Sequence, residues 1–451
     1  MNTVQDVQVI KTDEGATNGQ SKCPNCGSTD ISMNPNTGKL RCNYCRTQFE
    51  PETAEELVEN IEDLYGEVIA SGASNMDDSA EQMITLKCQS CGADVVIDTE
   101  SSTQARCHWC RSFLSVNQQV PNGSVPDVVL PFLVRKDEAE TKIKEFVNSR
   151  KFFAHPKFRK EFTTNNIMGV YFPYMLVDVN AHASFSGEGE HLVRRYTVGS
   201  GDNKTTYYDA DLYHVERDFD ITIDDLSVEA SSDKLNTQSS TKTTNIINSI
   251  MPFDTENCVR WNANYLRGFS SEKRDTNIEQ LRTLVETQTR DISRIAINDT
   301  LKHYDRGVAW SNEIMNIKGE RWKAAYLPVW LYSYQEVKGN KKLLHYVAVN
   351  ARTKETMGSV PINIPKLLLI SAFVEMLGVF FMFFVDFDYE WIALSAGIIF
   401  YLIMYARYRN NDKRHNYEKD TKKQVTDVKT IDNFIEHRKR LRNSIMRGAN
   451  N

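Results

Sequence analysis

Two stretches repeat one cysteine pattern, CPNCGSTDISMNPNTGKLRCNYCR at residues 23–46 and CQSCGADVVIDTESSTQARCHWCR at residues 88–111. Each reads C-x2-C-G, then fourteen residues, then C-x2-C-R. Two such pairs on a short hairpin bring four thiolates together, which is the closed tetrahedral shell of a structural zinc site. The pattern predicts two small β zinc ribbons, over residues 21–50 and 85–117, and two zinc ions. The predicted metal ligands are Cys23, Cys26, Cys42, Cys45, Cys88, Cys91, Cys107 and Cys110.

The repeat contains all but one of the nine cysteines. No secretory signal precedes it, which favours metal binding in a reducing compartment over a disulfide framework. Four thiolates also hold iron, which remains an alternative to zinc. Because four cysteines fill each shell, His108 is interpreted as a surface residue. Cys258 is interpreted as a small buried side chain.

Composition is that of a globular protein, with 41% hydrophobic and 25% charged residues in 451 positions. The net charge of −6 gives no overall nucleic-acid footprint. Residues 51–84, between the ribbons, are rich in Asp and Glu and lack Lys and Arg. Apolar positions within them recur at i, i+3 and i+4, which predicts an acidic amphipathic helix over residues 53–70 and a linker. We expect this helix to pack within the protein, or alternatively to dock a basic partner.

Residues 367–385 and 391–406 are apolar runs separated by the acidic stretch DFDYE. Apolar side chains of the first run contribute about −4 to −8 kcal/mol to membrane insertion, against about +3 kcal/mol for Glu375. The runs predict a two-helix transmembrane hairpin over residues 366–408, in which Glu375 faces the partner helix or a second copy. A buried hairpin within a water-soluble core is the alternative.

Basic residues flank the hairpin on both sides. The positive-inside rule then predicts a two-pass protein of the cell membrane with both termini in the cytoplasm. Residues 409–451 are basic and have apolar positions at a helical period, which predicts a helical amphipathic tail lying on the lipid bilayer. A solvent-bridging helix is the alternative.

Residues 125–365 contain two related stretches. The dipeptide PF at 131–132 precedes a predicted helix and the motif YFPYML at 171–176. The dipeptide PF at 252–253 likewise precedes a predicted helix and YLPVWL at 326–331. This order predicts an α+β middle domain with an internal duplication. No H-E-x-x-H or G-x-S-x-G motif occurs, so the protein is expected not to be an enzyme.

The two cysteine units resemble the zinc ribbon of transcription factor B and of primosomal helicase proteins. Ribbons before a P-F…Y-x-P domain and a terminal apolar hairpin resemble bacterial membrane-anchored zinc-ribbon proteins of the transcription-factor-IIB type. The resemblance implies that the eight cysteines hold metal, and it carries over no catalytic residue. It also implies a phage-shock-type coiled-coil protein as the cytoplasmic partner, in an envelope-stress response. Two ribbons in place of one depart from that family.

The ribbon sequences are nearly neutral and lack interleaved aromatic and basic residues, which disfavours nucleic acid as their target. The predicted function is that of a non-enzymatic, membrane-anchored adaptor that docks a partner protein through the ribbons and the acidic helix. The alternative is a membrane-tethered nucleic-acid-binding factor for transcription or DNA transactions.

Overall fold

Strands dominate the architecture of the chain. A computed structural model describes residues 7–10, 23–28, 31–33, 39–50, 60–70, 72–73, 83–87, 94–98, 105–109, 113–114, 119–120, 126–199, 205–231, 250–261, 263–266, 269–272, 274–338, 341–382, 395–409 and 417–441.

The N-terminal third contributes short strands, namely β1 (Val7–Ile10), β2 (Ile31–Met33), β3 (Leu40–Cys42), β4 (Gln48–Phe49), β5 (Gly66–Ala70), β6 (Met83–Lys87), β7 (Asp94–Asp98), β8 (Ala105–Arg106), β9 (Phe113–Leu114), β10 (Gln119–Val120) and β11 (Val128–Val129). The later strands are β12 (Met168–Val198), β13 (Thr205–Glu229), β14 (Val259–Arg260), β15 (Ser270–Glu272), β16 (Val308–Lys338), β17 (Lys341–Asn350), β18 (Thr356–Gly358) and β19 (Lys422–Leu441). The helices are α1 (Lys136–Asn148), α2 (Pro156–Glu161), α3 (Ile278–Ala296), α4 (Ile364–Met382), α5 (Ala396–Arg409) and α6 (Tyr417–Asp420).

Four long strands form the centre of the largest sheet. β12 pairs antiparallel with β13 on one side and with β16 on the other, and β13 pairs antiparallel with β19. β12 and β16 have 31 residues each, a length of about 100 Å at about 3.3 Å per residue. Register shifts mark irregularities such as β-bulges in these pairs, and bulges bend a sheet. Fourteen of the described strands belong to this sheet, while β2-β3-β4 and β8-β9 are two small separate sheets.

The two related motifs of the middle region lie opposite each other in this sheet. Tyr171 is paired with Pro328, and Pro173 with Tyr326, in the ladder between β12 and β16. Proline has no N–H to donate, but the carbonyls of Pro173 and Pro328 each accept a hydrogen bond from an alanine N–H. A helix precedes each motif in the chain, α1 before β12 and α3 before β16.

Helices pack apolar faces against the sheet. In α3, buried residues recur every three or four positions, and Leu281 and Val285 join a core cluster with Trp322. Ile143 of α1 and Phe158 of α2 belong to a second cluster. Burying a side chain of this size contributes about 1.5–3 kcal/mol, so these contacts fix both helices on the sheet.

The predicted fold class is wrong, because the structure is mostly β rather than a set of small ribbons beside an α+β domain and helical ends. Residues 60–70 illustrate why a segment predicted as a helix is a strand. Ile61–Asp63 is a short 3-10 turn, and β5 follows it in place of the predicted acidic helix. Val68 and Ala70 are buried and alternate with half-buried neighbours, so their spacing also fits a strand. Pairing with β1 and β16 decides in favour of the strand over the helix. Residues 51–59 lie outside the described residues.

Most of the described part of the predicted helical tail is likewise a strand, since the helix α6 covers only Tyr417–Asp420. β19 pairs with β13 from Lys422 to Leu441, apart from two register shifts. The buried guanidinium of Arg217 in β13 donates to Asp432 of β19 at 2.6 Å. A long neighbouring strand satisfies one side of the β19 backbone, which overrides a weak helical period. Residues 410–416 and 442–451 of the predicted tail lie outside the described part of the chain.

The two apolar runs form α4 and α5, which contact each other closely. A Cβ added to Gly397 would lie 2.3 Å from the carbonyl oxygen of Ser371, so a glycine is needed at this crossing. Glu375 of α4 faces α5, where its Oε2 accepts a hydrogen bond from the Gly397 N–H at 2.7 Å. Of the two predicted positions, against the partner helix or against a second copy, the structure shows the first. Large apolar side chains of both helices are exposed, among them Leu369 at 73% and Ile398 at 62%.

Within the part of the chain that the structure describes, none of the helices combines the length and the apolar character needed to cross a membrane. α5 has 14 residues, about 21 Å at about 1.5 Å per residue, against a hydrocarbon core of about 30 Å. This finding overturns the predicted transmembrane hairpin over residues 366–408. It also overturns the predicted location in the cell membrane with two passes and cytoplasmic termini.

Candidate metal centre

Four cysteines of the first ribbon converge on one point. The sulfur atoms of Cys23, Cys26, Cys42 and Cys45 all lie within 4.8 Å of one another. The Cys23 and Cys45 sulfurs are 3.5 Å apart, and the Cys26 and Cys42 sulfurs are 3.6 Å apart. Sulfur atoms about 2.3 Å from a tetrahedral ion are separated by about 3.8 Å. The cluster therefore has the dimensions to hold one metal ion, as the sequence predicts for these four residues.

The two turns that carry the cysteines have one geometry. Gly27 N–H donates to the Cys23 carbonyl, and Arg46 N–H donates to the Cys42 carbonyl. Both Gly27 and Arg46 have positive φ, at 70° and 63°. Glycine adopts this conformation without steric cost, whereas Arg46 takes the same backbone conformation with a side chain attached. Cys45 N–H also points at the Cys42 sulfur, 3.5 Å away.

Hydrogen bonds around the second pair favour thiolates. Thr47 contacts the Cys45 sulfur through its hydroxyl at 3.2 Å, and this contact holds the pKa of Cys45 well below its usual range, at about 5. The backbone N–H of Cys45 lowers the pKa of Cys42. A metal ion binds cysteine as thiolate, so both shifts favour the form of the side chain that binds metal. None of the six described cysteines is in a disulfide.

The apolar side of ribbon 1 is anchored to the rest of the protein. Ile31 of β2 and Leu40 of β3 are buried, and they join the core cluster that contains Tyr265 and Trp330. The opposite end of the ribbon is open: Tyr44, between the two cysteines of the second pair, is 81% exposed. The ribbon thus has a buried base and an exposed turn between Cys42 and Cys45.

Replacing Arg46 by glycine is expected to stabilise ribbon 1 by about 1 kcal/mol. A non-glycine residue in the left-handed region costs about 1–2 kcal/mol, and the greater chain entropy of glycine offsets part of the gain. Denaturant unfolding of the metal-loaded protein measures the difference. Arg41→Gly is the matched control: Arg41 lies in β3 without a positive φ, so glycine there should destabilise. Equal effects of the two substitutions would contradict the strain at Arg46.

Only part of the second ribbon is described, and that part is built into the main domain. β7 pairs with β15, which pairs with β12, so the hairpin of β6 and β7 extends the largest sheet. Cys107 is fully buried. The other three predicted ligands, Cys88, Cys91 and Cys110, lie outside the described residues, so the second metal ion remains a prediction.

Residues beside Cys107 enter the core of the domain. Trp109 is 2% exposed, its Nε1–H donates to Glu272 at 3.2 Å, and its ring meets Phe172 edge-on at 5.7 Å. His108 is 1% exposed, with its ring 5.4 Å from that of Trp109. The interpretation of His108 as a surface residue is therefore wrong. The interpretation assumed that a histidine not needed as a metal ligand would lie on the surface, but the His108 ring packs in the core.

A second group of possible ligands consists of Asp178, Asp224 and Asp225, which also lie within 4.8 Å of one another. Arg321 pairs with Asp178 at 2.5 Å, and Lys323 pairs with Asp225 at 3.1 Å. These two cations offset most of the negative charge. The group is a network of ion pairs, and it needs no metal ion to explain it.

Asp224 makes stability depend on pH. Burial, with Asp225 and Asp178 nearby, raises the pKa of the Asp224 carboxyl from 3.8 to about 6. The folded state then binds a proton more tightly than the unfolded state, so stability falls as pH rises from about 4 to about 6. Asp224→Asn should stabilise the protein by about 1 kcal/mol at pH 7.5, after allowance for solvent screening of a partly exposed group, and by much less at pH 4. Urea unfolding at the two pH values checks this, and a gain that is equal at both would contradict it.

Comparison with known proteins gives one relative of unknown role. The chain is similar to the uncharacterized protein YdjG of Bacillus subtilis (strain 168), with 26% identity over 344 residues, which cover 76% of this chain and 90% of that protein. No family model matches the chain, and no solved structure matches it.

Sequence reasoning missed several residues that shape the ribbons. Thr47 and Arg46 follow the second cysteine pair directly, and the C-x2-C-R repeat itself was the available signal for a special backbone at the arginine. The burial of Trp109 had no such signal, because it depends on residues far along the chain.

Proposed function

We propose that this protein is a non-enzymatic docking factor, in which a zinc ion held by Cys23, Cys26, Cys42 and Cys45 presents the tip of ribbon 1 to a partner protein. A four-thiolate shell leaves no open coordination position for chemistry, and zinc suits it better than harder cations. We further propose that Cys88, Cys91, Cys107 and Cys110 hold a second zinc ion in ribbon 2.

One observation carries the proposal: Tyr44 is 81% exposed on the turn between Cys42 and Cys45, and a metal ion bound by both cysteines would hold that turn rigid. A large aromatic side chain fixed in place loses little entropy on binding, and tyrosine is enriched among residues that dominate protein interfaces. Arg41 and Arg46 are exposed on the same ribbon, so a partner surface with apolar and acidic residues complements it. The resemblance to zinc-ribbon proteins of the envelope-stress response supports a coiled-coil protein as the partner, one whose surface carries apolar and acidic residues.

The experiment compares Tyr44→Ala with Tyr65→Ala in the full chain. Tyr65 is 77% exposed and lies outside the ribbon, which makes it a matched control. Proteins co-purifying with the wild type are identified by crosslinking and mass spectrometry. We expect Tyr44→Ala to lose the main crosslinked partner with its metal content unchanged, and Tyr65→Ala to keep it. Retention of every partner by Tyr44→Ala would overturn the docking role, and DNA binding by the wild type at physiological salt would favour the nucleic-acid alternative.

A further inference from the structure

Three stretches distant in the sequence meet at one end of the largest sheet. Arg195 near the end of β12 is paired with Tyr208 near the start of β13. Near the end of β19, Arg438 is paired with Ala210 of β13. The turn before β16 reaches the same place, since the backbone N–H of Arg306 donates to a carbonyl in β12. The fold thus gathers three arginines around Tyr208.

Specific contacts hold two of these guanidinium groups against Tyr208 and Glu190. The Arg306 guanidinium carbon lies 4.3 Å from the centre of the Tyr208 ring. The Tyr208 hydroxyl donates to Glu190 Oε2 at 3.3 Å, and the other Glu190 oxygen pairs with Arg438. Tyr208 itself is 4% exposed, so it serves as the floor of the cluster. We call Arg195, Arg306, Arg438 and Glu190 the arginine cluster.

The arginine cluster has more donors and more positive charge than its neighbours satisfy. It contains three guanidinium groups and one carboxylate. The Nε atoms of Arg306 and Arg438 are buried, and neither has a hydrogen-bond acceptor in the part of the chain that the structure describes. Arg195 is exposed. An anion in solution can reach the exposed Arg195 and the outer parts of the half-buried Arg306 and Arg438, so the excess positive charge of the cluster is accessible to it.

Nearby charges on the adjacent ladder positions are already paired. Arg194 donates to Asp209 at 2.6 Å, and His437 contacts Asp211 at 2.8 Å. Neighbouring residues along a strand point to opposite faces, so Arg194 and Arg195 lie on different sides of the sheet. The excess of positive charge therefore belongs to the face that carries Tyr208.

We propose that the arginine cluster binds a phosphate-type oxyanion. Guanidinium groups offer planar pairs of donors that match the oxygens of phosphate, and such charge-assisted bonds are short and strong. A doubly charged phosphate also balances the excess of two positive charges. The same phosphate chemistry is presented by free pyrophosphate and by the backbone of a nucleic acid.

The test uses the full chain in phosphate-free buffer at fixed ionic strength. Binding of pyrophosphate, and separately of a ten-nucleotide oligothymidylate, is measured by titration calorimetry. We expect Arg306→Gln to weaken binding of the accepted ligand by about tenfold, as the loss of one charge-assisted contact implies. Arg306→Lys keeps the charge but not the planar donors, so it should weaken binding by a smaller factor.

Two further variants separate binding from folding. Arg195→Gln removes an exposed arginine and should weaken binding without lowering the melting temperature. Arg159→Gln, an exposed arginine in α2, is the matched control and should bind as the wild type does. Binding of pyrophosphate alone assigns the cluster to a free ligand, and binding of the oligonucleotide assigns it to a phosphodiester chain. The proposal is overturned if neither probe binds the wild type, or if Arg306→Gln and Arg195→Gln bind as tightly as Arg159→Gln.

Discussion

Cys42→Ser is expected to release the metal ion of ribbon 1 and to open residues 39–50 to solvent. Cys42 is fully buried, and its sulfur is one of the four in the cluster, 3.6 Å from that of Cys26. Structural zinc contributes about 10–16 kcal/mol of apparent binding free energy, which in small ribbons is also their folding free energy. Loss of one thiolate should weaken metal affinity by more than about 100-fold, because even outer-shell changes weaken it by about 10–100-fold.

Elemental analysis after dialysis against a weak chelator measures this change. The metal content should fall by one ion per chain relative to the wild type, whatever ribbon 2 holds. Hydrogen exchange should quicken at residues 39–50 and at Ile31, whose side chain anchors the ribbon. Cys258→Ala, at the cysteine outside the repeat, is the control and should keep the wild-type metal content. An unchanged metal content in Cys42→Ser would show that these sulfurs do not hold the ion.

The cysteine cluster of ribbon 1 was predictable from the sequence because its determinants are local. Cys23 and Cys26 lie on one turn and Cys42 and Cys45 on another, and a three-strand unit of fewer than thirty residues brings the turns together. Spacing alone therefore fixes which atoms meet. The positive φ of Gly27 follows from the same local pattern.

The segments that were wrongly predicted as helices are decided by partners far away in the chain. β5 lies between β1 and β16. β19 lies beside β13, and their paired residues Leu441 and Tyr207 are more than 230 positions apart in the chain. A short apolar run fits a period of two nearly as well as a period of 3.6. Nothing within these segments indicates which long strand pairs with them, so the local pattern of apolar residues favoured a helix.

The arginine cluster was hidden for the same reason. The basic run that ends β19 reads in isolation as one face of an amphipathic helix. Only the ladder with β13 places Arg438 opposite Ala210, two residues from Tyr208, and within reach of Glu190. Charge that looks dispersed along the sequence is thus concentrated by the topology of the sheet.

Trp109→Ala is expected to destabilise the whole sheet domain by about 3–5 kcal/mol, the usual effect of removing a buried tryptophan. Trp109 contacts Phe172 of β12 and Tyr346 of β17, with ring centres 5.7 and 5.2 Å apart, and its Nε1–H donates to Glu272 of β15. The indole therefore joins the second cysteine unit to three strands of the main sheet. Urea unfolding followed by far-ultraviolet circular dichroism measures the loss.

The size of that loss distinguishes an independent ribbon 2 from one built into the domain. Trp109→Phe keeps a ring but loses the hydrogen bond, so it should have a smaller effect than alanine. Trp310→Ala, at a half-buried tryptophan in β16, is the control for removal of an indole at the margin of the core. If ribbon 2 folded by itself, Trp109→Ala would leave the main transition in place and reduce only metal binding. A single transition at a lower urea concentration is instead expected. Trp109 packs in the core and belongs to the second cysteine unit, so its removal destabilises both together.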